Sequence, residues 1–194
     1  MSRSNRERTE ATRQALIAAG RRLFVDRGYA ETPTPDIVTA AGVTRGALYH
    51  HFEDKKALFR AVVEQEAAAV ALAIEAGSAD ATTPRQALLA GASAYFDAMA
   101  VEGRTRLLLL EAPAVLGPFD MATLDGDHAE ASLRSGLLDV VKGSRSEALL
   151  GPLTALFSSA FDRAALAIAG GGDRAGYEAA IALLLDGLAD ELRR

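Results

Sequence analysis

The stretch GYAETPTPDIVTAAGVTRGALYHHF, residues 28–52, predicts two short helices joined by a tight turn. Thr34 is the predicted N-cap of a helix that starts at Pro35, where the missing proline N–H costs nothing, and Gly42 ends that helix. Thr44 is the predicted N-cap of the next helix. The stretch therefore predicts a helix-turn-helix, and its second helix is the candidate reader of a DNA groove.

Helical spacing of apolar residues continues through the chain, and no stretch alternates like a strand. The predicted class is all-α with about nine helices, divided into an N-terminal three-helix domain over residues 1–54 and a C-terminal helical domain over residues 55–194. Caps, prolines and glycines place the helices at 5–27, 35–41, 45–51, 55–76, 84–101, 103–110, 120–142, 152–169 and 173–192. We expect Pro113 to interrupt the sixth helix or its extension.

Charge is distributed unevenly along the 194 residues, whose net charge is −5. Residues 1–56 carry ten Lys and Arg against seven acidic residues, whereas residues 57–194 carry eleven against nineteen. Attraction to phosphate is screened within about 8 Å in physiological salt, so the acidic remainder does not prevent a basic end from binding DNA. The charge pattern is therefore compatible with a nucleic-acid partner at the N-terminal end.

Several classes of protein do not fit the composition. The chain has no cysteine, no apolar run long enough to span a membrane, and a polar start without the hydrophobic region of a signal peptide. We therefore expect a cytoplasmic protein with no membrane partner. Three histidines, two of them in the helix-turn-helix, and the absence of nucleophile or cofactor motifs predict a protein that is not an enzyme and needs no cofactor or metal.

Residues 9–60 resemble the N-terminal domain of the TetR family of transcriptional regulators. The resemblance rests on Gly-Tyr at 28–29, Ala-Gly-Val-Thr at 41–44, Leu-Tyr-His-His-Phe at 48–52 and Lys55, all in register. It implies a homodimeric regulator that binds palindromic double-stranded DNA. By analogy with the family, this regulator is a repressor that a small-molecule effector releases from its operator.

The start of the second helix carries residue types suited to reading bases. Arg45 can donate to guanine O6 and N7, Gly46 lets the helix approach the groove, and Ala47 is small enough to contact a thymine methyl. The resemblance further implies phosphate contacts from Thr34, Thr44, Tyr49, His50 and Lys55. Thr34 and Thr44 have an alternative interpretation as helix caps alone, and Tyr49 as a packing residue.

Two prolines depart from the family pattern at the start of the first helix of the motif. Pro33 and Pro35 stand where Ser or Thr and a basic residue are frequent, and proline supplies neither a backbone donor nor a charge. We expect this helix to contribute less to base contact. The alternative function is a helical protein–protein adaptor that has lost specific DNA binding, against which Arg45 and Lys55 argue.

The resemblance implies that the second domain binds a ligand and dimerises through its last two helices. A ligand pocket needs an apolar lining with a few polar groups, and the candidates are Tyr95, Phe96, Met99, Leu108, Glu111 and His128. Glu111 is either a ligand contact or an ion-pair partner of an arginine, for which the candidates are Arg104, Arg134 and Arg163. His128 has neighbouring aspartates at 125 and 127, but their spacing is a weak indication of metal.

The last two predicted helices are apolar over more than one face. Such a surface is wider than one domain needs for its own core, although an ordinary core is the alternative explanation. The predicted dimer contacts are Phe157, Ala160, Phe161, Ala164, Ile181, Leu184 and Leu188.

Overall fold

The computed structural model describes residues 5–117, 129–141 and 148–191, and no strand occurs within these ranges. The prediction of an all-α fold is confirmed. The elements are α1 (Asn5–Arg27), α2 (Thr34–Ala41), α3 (Arg45–His51), α4 (Lys55–Ser78), α5 (Pro84–Met99), α6 (Arg104–Arg106), the π-helix π1 (Leu107–Glu111), α7 (Ala112–Leu116), α8 (Ala129–Val141), α9 (Leu150–Ala169) and α10 (Arg174–Glu191).

The predicted caps of the helix-turn-helix have different outcomes. The Thr44 side chain accepts a hydrogen bond from the Ala47 N–H at 3.2 Å, which confirms it as the N-cap of α3. The prediction for Thr34 is wrong, because this residue is already helical and the preceding Pro33 occupies the N-cap position. Since proline has no side-chain acceptor, α2 begins without a side-chain cap.

The predicted interruption at Pro113 is also wrong. The chain winds as π1 just before this proline and continues as α7, with Pro113 in the first turn. Inside a continuing helix a proline removes one intrahelical hydrogen bond, and the π turn lies directly before the position where this donor is missing. The predicted helix over 120–142 is seen only as α8, since residues 118–128 and 142–147 lie outside the described ranges.

The chain forms two compact units that differ from the predicted division at residue 54. The first unit contains Met1–Glu66 and Glu102–Met121, and the second contains Ala67–Val101 and Ala122–Arg194. Long-range ion pairs explain why the later segment joins the first unit. The buried Glu66 carboxylate of α4 accepts hydrogen bonds from Arg21 of α1 at 2.9 Å and from Arg104 of α6 at 2.8 Å.

The core of the first unit is built where α1 packs against α2 and α3. Phe24 and Phe59 are fully buried and meet edge to face, with ring centroids 5.1 Å apart. Ile37 of α2 and Leu48 of α3 are also fully buried. Burying one such side chain contributes about 1.5 to 3 kcal/mol, so the apolar positions of α2 and α3 hold the motif against α1.

In the second unit, α8 packs on α5 and α9, and α5 also packs on α9 and α10. Leu137 and Val141 of α8 are fully buried. Gly136 permits the close approach of α8 to α5, because a Cβ there would lie 2.6 Å from a methyl of Leu88.

Candidate nucleic-acid interface

The turn between α2 and α3 is set by two local features. Gly42 ends α2 in the left-handed conformation, with φ 67°, which glycine adopts without a steric penalty. Thr44 is extended and caps α3 through its hydroxyl. These features direct α3 away from α2 and leave its first turn at the surface.

The base-reading candidates are accessible at the start of α3. Arg45 and Gly46 are exposed, and Ala47 is partly exposed. The Arg45 guanidinium lies 5.5 Å from the centre of the Tyr49 ring, in the i,i+4 arrangement that places two side chains on one helix face. The structure therefore brings Arg45 and Tyr49 together and leaves 45% of Tyr49 exposed.

The opposite face of α3 is buried. Leu48 is inaccessible and Phe52 is 5% exposed, as the sequence predicted for core residues. Arg13 of α1 lies over the Phe52 ring, with the guanidinium carbon 5.5 Å from the ring centre. The helix is thus held by its apolar face while its polar face remains free for a partner.

Two histidines follow on the last turn of α3. His50 is exposed and His51 is partly exposed, with their ring centres 5.3 Å apart. Partial burial lowers the pKa of His51, and the nearby His50 and Arg13 lower it further against an opposing effect of Glu10. The lowered pKa favours the neutral imidazole of His51.

Lys55 makes contacts within the protein that sequence reasoning missed. Its ammonium donates to the Tyr29 carbonyl at 2.8 Å and to the Thr32 carbonyl at 3.1 Å, and it lies 4.2 Å from the centre of the Tyr29 ring. An ammonium has three donors, so one remains for a phosphate. No local signal predicts this arrangement, because the carbonyl acceptors precede Lys55 by more than twenty residues.

The start of α2 differs from that of α3. Thr34 is partly exposed in its first turn, and Asp36 two residues later accepts a hydrogen bond from Arg27 at 2.6 Å. This ion pair, which the sequence analysis also missed, places a positive charge beside the carboxylate. It reduces the repulsion that the carboxylate would exert on a phosphate.

Comparison with known proteins agrees with this geometry. The model of the bacterial regulatory proteins of the tetR family matches residues 16–62, and the model of the tetracyclin repressor-like C-terminal domain matches residues 85–192. The chain belongs to the TetR family. The second match covers more than half of the chain, and the two matches together cover most of both compact units.

A solved TetR-family transcriptional regulator from Pectobacterium atrosepticum is 33% identical, with a TM-score of 0.70 over 98% of this chain and 97% of its own. The transcriptional repressor BepR of Brucella suis is 41% identical over 63 residues, 32% of this chain and 30% of BepR. The transcriptional activator FasR of Mycolicibacterium smegmatis is 31% identical over 116 residues, 60% of this chain and 53% of FasR. The matched regions thus span about 30% of BepR and about half of FasR.

The candidate ligand residues of this TetR protein fall into both compact units. Tyr95, Phe96 and Met99 are buried on α5 in the second unit, whereas Leu108 and Glu111 belong to π1 in the first. His128 and its neighbouring aspartates lie outside the described residues.

Glu111 has structural partners in the first unit. One carboxylate oxygen accepts the Tyr29 N–H at 2.9 Å, and the other lies 3.3 Å from the Arg106 guanidinium. Of the two roles considered for Glu111, the structure supports the ion pair, but the arginine is Arg106 rather than any of the three predicted. The prediction missed Arg106 although it precedes Glu111 by only five residues in the sequence.

Most of the predicted dimer contacts are core residues of the second unit. Phe157, Phe161, Ala164 and Ile181 are buried within the chain itself and offer almost no surface to a partner subunit. They occupy the face that packs against neighbouring helices. Leu184 is 55% exposed, and the partly exposed residues of the set are Ala160 and Leu188.

Within the described residues, no helix combines the length and apolar character needed to cross a bilayer.

Proposed function

We propose that this chain is a sequence-specific DNA-binding transcriptional regulator and not an enzyme. The observation that carries the proposal is the exposed first turn of α3, held by a hydroxyl cap and a buried apolar face, with Arg45 at its start. A helix presented in this way can enter the major groove, where an arginine recognises guanine through two hydrogen bonds. As a bacterial regulator it acts in the cytoplasm, where the DNA lies.

The proposed contacts divide into base-reading and positioning groups. Arg45, Gly46 and Ala47 read the groove, and the phosphate-contact candidates are Thr34, Thr44, Tyr49, His50 and Lys55. The stacking of Arg45 on Tyr49 supports this division, because it restricts the guanidinium before DNA arrives. Lys55 contributes through its remaining donor and also holds the turn that precedes α2.

We further propose a homodimer that binds a palindromic operator and dissociates when a small molecule binds. A twofold dimer presents two copies of α3 to half-sites about 34 Å apart, one turn of DNA. Repression is supported by the name of BepR, while FasR is named an activator. A reporter gene under the selected operator distinguishes repression from activation, because a repressor lowers the expression of the reporter and an activator raises it.

The test is selection of duplexes from a random pool by the purified protein, followed by affinity measurements on Arg45→Ala. Loss of a two-hydrogen-bond guanine contact should weaken specific binding by about 1 to 3 kcal/mol and relax one base position in each half-site. Arg134→Ala removes an exposed arginine of α8 and serves as the matched control, with no change expected. Unchanged base preference in Arg45→Ala contradicts the assignment, and failure to enrich any sequence favours the adaptor.

A further inference from the structure

The helix-turn-helix stretch carries too little positive charge to hold a DNA backbone by itself. Residues 28–52 contain Glu31 and Asp36 against Arg45, which gives a net charge of −1 with neutral histidines. The sequence-independent part of DNA affinity comes from cations that neutralise phosphates. Such cations must therefore come from the helices that flank the stretch.

The start of α2 is a poor phosphate site in its own right. The first N–H groups of a helix usually serve as donors to an anion. In α2, Pro35 has no N–H, and the Asp36 N–H donates to the Pro33 carbonyl at 3.1 Å. The Asp36 carboxylate adds a negative charge where the first helix of such a motif crosses the DNA backbone. A phosphate there needs a cation from another element.

Arg27, the last residue of α1, supplies a guanidinium at this place. Its Nη1 donates to Asp36 Oδ2 at 2.6 Å, and its side chain is 50% exposed. Nε and Nη2 take no part in this bond. These two nitrogens form one edge of the guanidinium, and such an edge can bond two phosphate oxygens in parallel. Asp36 thus holds the arginine by one nitrogen and leaves a two-donor edge available.

Other basic side chains close to the motif have partners elsewhere in the first unit. Arg21 binds the buried Glu66 carboxylate through Nε and Nη2. Lys55 donates to two backbone carbonyls that precede α2. Arg27 differs from both because its partner belongs to α2 itself.

We infer that Arg27 is a phosphate-contact residue, which Asp36 positions at the start of α2. The guanidinium supplies there a positive charge that the stretch 28–52 lacks, and it makes the end of α1 part of the DNA interface. The contact fixes the protein on the backbone without reading sequence, because phosphates are the same at every base pair. The inference rests on the proposed function, since it assigns a further residue to that same interface.

The experiment is the salt dependence of operator binding by the full-length protein, measured by fluorescence anisotropy. Arg27→Ala should lower the slope of log K against log salt concentration by about 0.9 for each copy of the chain on the operator, with base preference unchanged. Arg22→Ala is the matched control, because Arg22 is exposed on the same helix but about 140° away around its axis. The control should have the slope of the parent. A parent-like slope in Arg27→Ala overturns the inference.

Asp36→Asn separates a DNA contact from a merely structural ion pair. Asp36→Asn and Arg27→Ala both remove the pair, so a structural role predicts weaker DNA binding in both variants. A phosphate contact predicts different changes, because Asp36→Asn keeps the cation and removes a carboxylate that repels phosphate. We expect Asp36→Asn to bind DNA at least as tightly as the parent, with an undiminished slope. Equal losses in the two variants contradict the inference.

A cleavage measurement locates position 27 without relying on charge. The sequence has no cysteine, so Arg27→Cys and Arg22→Cys each offer a single thiol for an iron–EDTA reagent that cuts nearby DNA sugars. We expect the conjugate at position 27 to cut the operator backbone beside each half-site, and the conjugate at position 22 to cut less. Cleavage from position 27 that is no stronger than from position 22 overturns the inference.

The failure of this inference is distinguishable from that of the proposed function. A protein that selects an operator whose salt dependence is unchanged in Arg27→Ala refutes the contact and leaves the regulator intact. A protein that binds no duplex even at low salt refutes both.

Discussion

Glu111 shows how a single residue can acquire a structural role that its local sequence does not reveal. Its carboxylate accepts the Tyr29 N–H, next to Gly28, which has a φ of 83° and ends α1. Its partner Arg106 also donates to the Phe24 and Val25 carbonyls near the end of α1. Together they give partners to the Tyr29 N–H just after α1 and to the Val25 carbonyl in its last turn, and they add a second donor to the Phe24 carbonyl, which also accepts from the Gly28 N–H.

This role predicts different costs for two substitutions of Glu111. Glu111→Ala removes the acceptor of a partly buried N–H and should lower the free energy of unfolding by about 1 to 3 kcal/mol. Glu111→Gln keeps an acceptor and loses only an ion pair with a half-exposed arginine, so its cost should be less than about 1 kcal/mol. Urea unfolding measures both. Equal costs would contradict the importance of the Tyr29 hydrogen bond, and no cost in either variant would contradict the structural role.

At the scale of elements, the entry into α6 depends on a close approach to α1. Gly103 has a φ of 74°, and a Cβ there would overlap both methyl groups of Val25, one of them at 2.7 Å. Gly42 is also left-handed, with φ 67° and ψ 30°, but a Cβ there meets nothing within 4 Å. The two glycines therefore share a backbone conformation and differ in packing.

Alanine substitutions at these two glycines separate the cost of a steric clash from the cost of the backbone conformation. Gly42→Ala should destabilise by about 1 to 2 kcal/mol, the cost of a left-handed residue with a side chain. Gly103→Ala should cost about 1 to 3 kcal/mol more, because Val25 or the backbone must move. Thermal unfolding of the two variants and the parent measures the difference. Equal melting temperatures would show that α6 does not pack against α1 as closely as described.

At the scale of the whole molecule, the second unit leaves apolar side chains exposed on its last two helices. They are Leu156 of α9 and Tyr177, Leu183 and Leu184 of α10, and Leu183 is 74% exposed. The two helices pack against each other, and a contiguous exposed apolar surface is typical of an interface. These residues, rather than the buried members of the predicted set, are the proposed dimer contacts.

Leu183→Glu should therefore convert the proposed dimer into a monomer at micromolar concentration, because a charge in an apolar interface loses its hydration without gaining a partner. Leu72→Glu is the matched control, since Leu72 of α4 is 65% exposed and outside this surface. Sedimentation velocity measures the assembly of both variants and the parent. A monomeric parent, or a Leu183→Glu variant that remains dimeric, rules out this interface.

What the sequence determined by itself was local. The bounds of α1 and α3 and the cap at Thr44 were predictable because a terminating glycine, a threonine hydroxyl and the spacing of apolar residues act within a few positions. The helix-turn-helix, its exposed base-reading candidates and the basic N-terminal end follow from signals of this kind.

Only the tertiary structure decided which faces and partners the side chains use. Phe157 and Phe161 lie on an amphipathic pattern that does not say whether a neighbouring helix or a second subunit covers them. The carbonyl acceptors of Lys55 and the backbone N–H that Glu111 accepts lie more than twenty and eighty residues away, respectively, in the sequence. Such contacts depend on how the helices pack, because hydrogen bonds and ion pairs act over a few ångströms in space, whatever the separation along the chain.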